Sequence, residues 1–239
     1  MRYARHNLHP HPLQRIHVVL LGGTAALVAL VALALGGCGA LVTPPPNLHA
    51  AGSTAVTHPY ATPAATQPLY SNPLTSAVPG WANVPECVFT ANGLSVRPSG
   101  GQAYICLAPV TAPDNVSITV TVQQESGPPT HSYGIAFRHA APKSYYFFGI
   151  DSHGRFMLSV VVNDVSHTVI PFTASAAIHS GPGASNQLQV VAQGQTATLL
   201  VNGAPVGQAT LSTFSSGAVG LRGIDSGNVV FSQLTIAQV

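Results

Sequence analysis

One stretch of the sequence, SYGIAFRHAAPKSYYFFGIDSHGRF at residues 132–156, concentrates the side chains best suited to binding. It contains Arg138, whose guanidinium donates hydrogen bonds, and Asp151, whose carboxylate accepts them. Tyr145 and Tyr146 lie between these two, and a tyrosine ring has an apolar face and a polar hydroxyl with which to meet a sugar. We therefore predict a ligand-binding site made of these four residues. In the structural alternative, the tyrosines fill the core and Arg138 pairs with Asp151.

The same stretch is a weaker candidate for a metal site. Asp151 and the three histidines His131, His139 and His153 are the group to consider, but histidines beside turns are usually solvated. A calcium loop needs several acids close together, and DSHG offers one. We expect neither a bound metal nor a cofactor.

The acidic residues beyond the N-terminal third are too scattered to predict catalysis. They are Glu86, Asp114, Glu125, Asp151, Asp164 and Asp225, and none lies within ten residues of another. A single strand therefore cannot present the pair of carboxylates that glycoside hydrolysis uses. The motifs G-x-S-x-G and H-E-x-x-H are also absent. We predict no catalytic residues and a protein that is not an enzyme; the alternative is a carboxylate pair assembled from distant strands.

The chain has three cysteines, Cys38, Cys87 and Cys106. If Cys38 is lipidated, the other two remain as an even pair, and an oxidising compartment favours their bridging. We predict a Cys87–Cys106 disulfide, which would close about 20 residues and stabilise the fold by about 3 kcal/mol. The alternative is two free, buried thiols.

The elements that must position these residues have the period of β-strands. VSITVTV at residues 116–122 alternates apolar and hydroxylated side chains, and RFMLSVVV at 155–162 is rich in strand formers. Asn202-Gly203 lies between two such runs and predicts a two-residue hairpin. Turn residues recur about every ten positions. An all-β fold, an antiparallel two-sheet jelly-roll sandwich, is therefore expected over residues 82–239.

Five segments of this region resemble a known superfamily in their order and spacing. They are YGIAFR, SYYFFGIDSHGRF, NQLQVVAQGQTATLLVNGAPV, FSSGAVGLRG and NVVFSQLTI. Together they resemble the concanavalin A-like (laminin G/glucanase-like) jelly roll, in particular a bacterial extracytoplasmic branch related to 3-keto-disaccharide hydrolase domains. The resemblance implies twelve to fourteen strands and a function among binding modules and glycosidases. The E-x-D-x-x-E strand of the laminarinase-type members has no counterpart here.

Charge is unevenly distributed along the chain. Three arginines lie in the first fifteen residues, whereas five basic and six acidic residues follow from Glu86 onward, a net charge of 5 − 6 = −1. A basic face able to neutralise several phosphates is therefore not available, and nucleic acid is excluded as an expected partner.

The N-terminus predicts a membrane attachment. Residues 1–15 form a basic, cytoplasmic region, and residues 16–42 a signal or transmembrane anchor segment whose apolar run, IHVVLLGGTAALVALVALAL, is long enough for one membrane-spanning helix. Leu35-Gly36-Gly37-Cys38 resembles a bacterial lipobox, which would make Cys38 a lipidation site. An uncleaved anchor helix and ordinary secretion are the alternatives. All three place the remaining chain on the extracytoplasmic side.

A linker is predicted between the anchor and the domain, over residues 43–81. Residues 43–80 include eight prolines and no charged residue, a composition that propagates neither helix nor sheet. The expected protein is thus a membrane-tethered extracytoplasmic module that binds cell-surface glycan or protein. The alternatives are a structural or sensory ectodomain with a protein ligand, and a glycosidase-like enzyme of the same fold.

Overall fold

The computed structural model describes residues 67–82, 84–224 and 227–239. They form fourteen β-strands, all paired antiparallel. The strands are β1 Gln67–Asn72, β2 Cys87–Thr90, β3 Gly93–Val96, β4 Ala103–Ala112, β5 Val116–Ser126, β6 Tyr133–Ala141, β7 Ser144–Ile150, β8 Arg155–Val162, β9 Val165–Ala174, β10 Ser185–Gln193, β11 Thr196–Val201, β12 Ala204–Thr210, β13 Gly217–Ile224 and β14 Asn228–Gln238. The predicted all-β, two-sheet architecture is confirmed.

The strands divide into two sheets. The eight-stranded sheet has the order β12-β11-β10-β5-β14-β3-β2, and β1 pairs with β14 on the same side as β3. The six-stranded sheet has the order β4-β13-β6-β7-β8-β9. Strands that are distant in sequence, such as β5 and β14, are neighbours, as expected of a jelly roll.

The main core lies between the two sheets and follows directly from the strand alternation. In β5, Val116, Ile118, Val120 and Val122 are buried on one face, while the intervening hydroxylated residues turn outward. Each fully buried side chain of this size contributes about 1.5–3 kcal/mol to folding. Strand β7 is buried on both faces, as its continuous apolar sequence predicts for a central strand.

The predicted hairpin at Asn202-Gly203 is confirmed. Both residues have positive φ, 51° and 79°, and they join β11 to β12 where Val201 pairs with Ala204. This is the backbone conformation that Asn-Gly favours in a two-residue turn.

The domain begins earlier than the predicted boundary at residue 82. Strand β1 pairs with β14, and Leu74 and Trp81 are buried, with the Trp81 indole donating a hydrogen bond of 2.8 Å to the Tyr70 hydroxyl. The predicted linker 43–81 is therefore corrected at its C-terminal end. Pro68 is tolerated because β1 lies at a sheet edge, where a strand can lack one N–H donor.

The Cys87–Cys106 disulfide is confirmed, with a Cα–Cα distance of 5.9 Å. It joins β2 of the eight-stranded sheet to β4 of the six-stranded sheet. The bridge therefore holds the two sheets together at one end of the core.

Three predictions fall on residues outside the described part of the chain: the N-terminal helix over residues 16–35, lipidation of Cys38, and the linker before residue 67. Among the residues that are described, no helix has the length and apolarity needed to cross a membrane.

Candidate functional site on the outer face of the six-stranded sheet

A depression of about 520 Å³ lies on the outer face of the six-stranded sheet. Tyr145, Val161 and Arg222 line it from three different strands, β7, β8 and β13. Ile105 of β4 lines it from a fourth and packs against the outer apolar residues, whereas the ring of the neighbouring Tyr104 packs against the main core. Its remaining lining residues are polar or small and mostly exposed, namely Gln102, Ala103, Lys143, Asp164 and Ser166.

Two glycines shape the strands beneath this depression. Gly149 lies under the ring of Phe147, so close that a Cβ there would stand 2.6 Å from two ring atoms. Gly134 lies between Arg222 of β13 and Gly149 of β7 in the sheet register. A Cβ at position 134 would stand 2.2 Å from the Phe148 carbonyl oxygen, so glycine allows β6 and β7 to pair closely here. The guanidinium carbon of Arg222 lies 4.1 Å from the centroid of the Phe147 ring.

Arg222 is therefore held on the sheet by an aromatic face, which is a cation–π interaction. Burial lowers the pKa of its guanidinium, and the charge and hydrogen bonding of Tyr145 act in the opposite direction. The Nε atom is enclosed and has no hydrogen-bond acceptor among the described residues. Arg222 is accordingly a partly desolvated cation at the depression.

Two hairpin turns form the polar rim next to Tyr145. Lys143 lies in the turn from β6 to β7 and Asp164 in the turn from β8 to β9, both with positive φ. The Asp164 amide donates to the Lys143 carbonyl at 3.0 Å, and the two side chains form an ion pair of 2.6 Å. Both side chains are well exposed, so the pair contributes little to stability, but it fixes one cation and one anion at the rim.

Of the four residues predicted to bind ligand, Tyr145 lies at this depression. It belongs to the small apolar cluster on the outer face, together with Ala136, Phe147 and Val161. The His139 ring stacks on it, with centroids 5.6 Å apart. Because only 6 % of Tyr145 is exposed, it offers little ring surface on which a sugar could stack.

Tyr146 is part of the main core and not of this surface, which corrects its predicted place. It is 1 % exposed and stacks on Phe137 with ring centroids 5.5 Å apart. Its hydroxyl accepts a 2.8 Å hydrogen bond from the Thr213 amide. Successive residues of a strand point to opposite faces, so Tyr145 and Tyr146 cannot share one site.

Arg138 is also buried, and its predicted place in a surface site is corrected. It has φ of 50° at an irregularity in the β6–β7 register. Its terminal nitrogens donate to the carbonyls of Asp114, Gly194 and Phe214 at 2.6–2.9 Å. These carbonyls belong to three separate connections, so Arg138 ties the loops at one end of the sandwich.

Asp151 pairs with Arg155, not with Arg138, which corrects both sequence interpretations of this carboxylate. It is fully buried and accepts hydrogen bonds from Arg155 Nε at 2.8 Å and from Arg155 Nη2 at 2.5 Å. It also accepts from the amides of His153 and Arg155. The carboxylate thereby shapes the turn between β7 and β8.

The sequence did not predict four residues of the depression: Arg222, Ile105, Lys143 and Asp164. The one available signal was GLRG at residues 220–223. Gly220 lies two residues before Arg222 and so on the same face of the strand, where Ile105 occupies the space that a side chain at 220 would take. The pairing that brings Phe147 beneath Arg222 is not visible in the sequence.

Comparison with solved structures identifies the fold. A carbohydrate-binding module, CBM66, from Bacillus subtilis superposes with a TM-score of 0.54 at 18 % identity, covering 66 % of this chain and 91 % of that one. A Bacillus subtilis protein of unknown function with a galectin-like fold superposes with a TM-score of 0.56 at 14 % identity, covering 73 % and 97 %. The fold is a galectin-like, concanavalin A-like jelly roll. The predicted resemblance is confirmed at the level of the fold.

The same jelly roll also occurs as one part of larger enzymes. The xylan beta-1,4-xylosidase of Bacillus halodurans superposes with a TM-score of 0.53 at 10 % identity over 70 % of this chain, but this corresponds to 39 % of the enzyme. The closer relation to 3-keto-disaccharide hydrolase domains is not shown by these three structures and stays a prediction. No protein-family model matches the sequence. A search of curated proteins likewise found no significant match.

Proposed function

We propose that this protein is a carbohydrate-binding module held at the outer surface of a cell membrane. The observation that carries the proposal is the outer-face depression, where an apolar cluster, an arginine and an exposed ion pair converge on one cavity. Ligand sites of this kind combine apolar surface with a few placed polar groups. The jelly-roll fold of CBM66 supports the proposal by analogy alone.

The depression offers what an oligosaccharide needs. Ile105 is a partly exposed apolar side chain packed against the outer cluster, and it suits the apolar face of a pyranose. Gln102, Ser166 and the Lys143–Asp164 pair offer donors and acceptors for sugar hydroxyls. Ile105 therefore replaces Tyr145 as the apolar residue to which we assign contact with the sugar ring, because the Tyr104 ring packs against the main core.

The proposed role is binding without hydrolysis. Glycosidases place two carboxyl groups about 5–9.5 Å apart. Among the described residues that line the depression, Asp164 is the single acid, and it is paired with Lys143. Turnover of a β-glucan or a keto-disaccharide that is lost on Asp164→Asn would contradict this part of the proposal.

We propose attachment to the membrane from the sequence, through a helix over residues 16–35 or a lipid on Cys38. Mass spectrometry of the protein extracted from membranes distinguishes the two. A mature N-terminus at diacylated Cys38 supports the lipoprotein, and an intact Met1 supports the helix. Protein recovered in the soluble fraction with another N-terminus would contradict both.

Sugar binding is tested with the purified full-length chain on a glycan array and on cell-wall preparations. Ile105→Ala should weaken binding about tenfold, which corresponds to about 1.4 kcal/mol. Val169→Ala is the matched control, because Val169 is an exposed branched residue of β9 that does not line the depression. Equal loss in both variants would reject the site, and binding to no glycan would favour the alternative protein ligand.

A further inference from the structure

We infer that the depression selects saccharides that carry a carboxylate, and that Arg222 is the group that binds it. The inference rests on the proposed function, since it names the class of sugar taken by the same site. It assigns a specificity-determining role to a residue of β13 that lies outside the stretch of residues 132–156.

Arg222 forms no ion pair with an acidic side chain among the described residues. The described chain contains two side-chain ion pairs, Lys143 with Asp164 and Arg155 with Asp151. Neither involves Arg222, and its buried Nε lacks an acceptor among the described residues. Arg222 is partly buried, and desolvation of a cation without an acidic partner is unfavourable. A bound carboxylate would supply the charge that the described residues do not.

The guanidinium of Arg222 lies on an aromatic ring whose position is fixed. The Phe147 ring lies against it, and Gly149 gives that ring the space it occupies. The ring covers part of the guanidinium without neutralising it, and its own position is fixed by the sheet. Arg222 is thus preorganised, and a fork of N–H donors on a rigid base suits the two oxygens of a carboxylate.

The described residues that line the depression have a net positive charge. The described lining residues include two cations, Arg222 and Lys143, and one acid, Asp164. The lining therefore has a net charge of 2 − 1 = +1, whereas the chain from Glu86 onward has a net charge of −1. Asp164 engages Lys143, which leaves Arg222 as the cation available to an anionic ligand. A neutral sugar would leave that charge uncompensated.

The test compares acidic sugars with neutral partners of the same shape. The probes are trisaccharides of galacturonate, glucuronate and mannuronate, each paired with its carboxyl-reduced form, and titration calorimetry with the full-length chain measures affinity. We expect at least one uronate to bind at least tenfold more tightly than its reduced form. This comparison uses the unmodified protein, so it does not depend on a variant that folds.

Variants then assign the effect to Arg222. Arg222→Gln should remove the preference for the uronate, and Arg222→Lys should restore part of it, because the charge returns without the planar fork. Arg97→Gln is the matched control, since Arg97 is exposed and bonds to Ser95 away from the depression. Asp164→Asn should strengthen uronate binding by removing a negative charge near the ligand.

Failure of this inference is distinguishable from failure of the proposed function. Equal affinity for uronates and their reduced forms, or a preference that survives Arg222→Gln, would overturn the role of Arg222 while leaving carbohydrate binding intact. Binding of neutral glycans on the array, with no uronate bound, has the same meaning. Binding to no saccharide of either kind overturns both.

Discussion

Tyr145 and Tyr146 are consecutive residues of β7 whose rings lie on opposite faces of the six-stranded sheet. Tyr145 belongs to the outer cluster with Phe147, whereas Tyr146 stacks on Phe137 within the main core. Their hydroxyls have correspondingly different partners. The Tyr146 hydroxyl accepts from the Thr213 amide, while Tyr145 lines the depression together with Arg222, whose pKa it raises against the effect of burial.

Replacing tyrosine by phenylalanine is therefore expected to lower stability at position 146 and ligand affinity at position 145. Tyr146→Phe removes a hydrogen bond to a backbone amide and should lower the free energy of unfolding by about 1 kcal/mol without changing sugar affinity. Tyr145→Phe should leave the free energy of unfolding nearly unchanged but weaken ligand binding, because Arg222 loses a polar neighbour. Urea denaturation and titration calorimetry on both variants measure the two effects. A loss of affinity in Tyr146→Phe equal to that in Tyr145→Phe would contradict the assignment.

A second prediction concerns Arg138, which donates to three loop carbonyls. Arg138→Met keeps an unbranched apolar stem but removes every donor, so the free energy of unfolding should fall by about 3 kcal/mol. Arg138→Lys should recover part of this, because one ammonium cannot reach all three carbonyls. The exposed Arg97→Met is the control for loss of an arginine. An unfolding midpoint of Arg138→Met equal to that of the control would show that the three bonds contribute nothing.

The fold was predictable because its signals are local. The alternation of β5 and the Asn202-Gly203 turn both depend on a few neighbouring residues, and both predict the observed structure. The start of the domain was not predictable, because β1 contains Pro68 and its sequence resembles the linker before it. Its strand conformation depends on pairing with β14, a partner some 160 residues away in the chain.

The site was predictable only in part, and Arg138 shows why. Strict alternation along β6 places Arg138 on the outer face with Ala136. In the structure, φ of 50° at Arg138 and the close approach of Gly217 to the His139 carbonyl interrupt that alternation. A Cβ at position 217 would stand 2.6 Å from the carbonyl oxygen. The irregularity therefore arises from contact between β6 and β13, which no local pattern reveals.

A third prediction concerns the disulfide. The double variant Cys87→Ala/Cys106→Ala should lower the free energy of unfolding by about 3 kcal/mol, because the unfolded chain regains the freedom of a loop of about 20 residues. Reduction of the unmodified protein should have a similar effect on its unfolding midpoint. Cys38→Ala, outside the described domain, serves as the control. A reduced protein as stable as the oxidised one would show that the core alone holds the two sheets together.

The last prediction is a pH dependence that arises from His139. Burial lowers the pKa of this imidazole, and its backbone hydrogen bond opposes the shift only in part. The folded protein therefore resists protonation of His139, whereas the unfolded chain takes up the proton near the ordinary pKa of about 6.5. Below that pH the unfolded state binds more protons, so the free energy of unfolding should fall as the pH decreases from about 6.5 to the lowered pKa.

The contribution of His139 to stability is thus complete above pH 6.5 and diminishes in acid. Urea denaturation at several pH values between 8 and 5 measures it. His139→Gln should flatten this part of the profile, while His167→Gln, a substitution of an exposed histidine in β9, controls for the loss of an imidazole. A profile in which His139→Gln matches the unmodified protein would contradict the prediction.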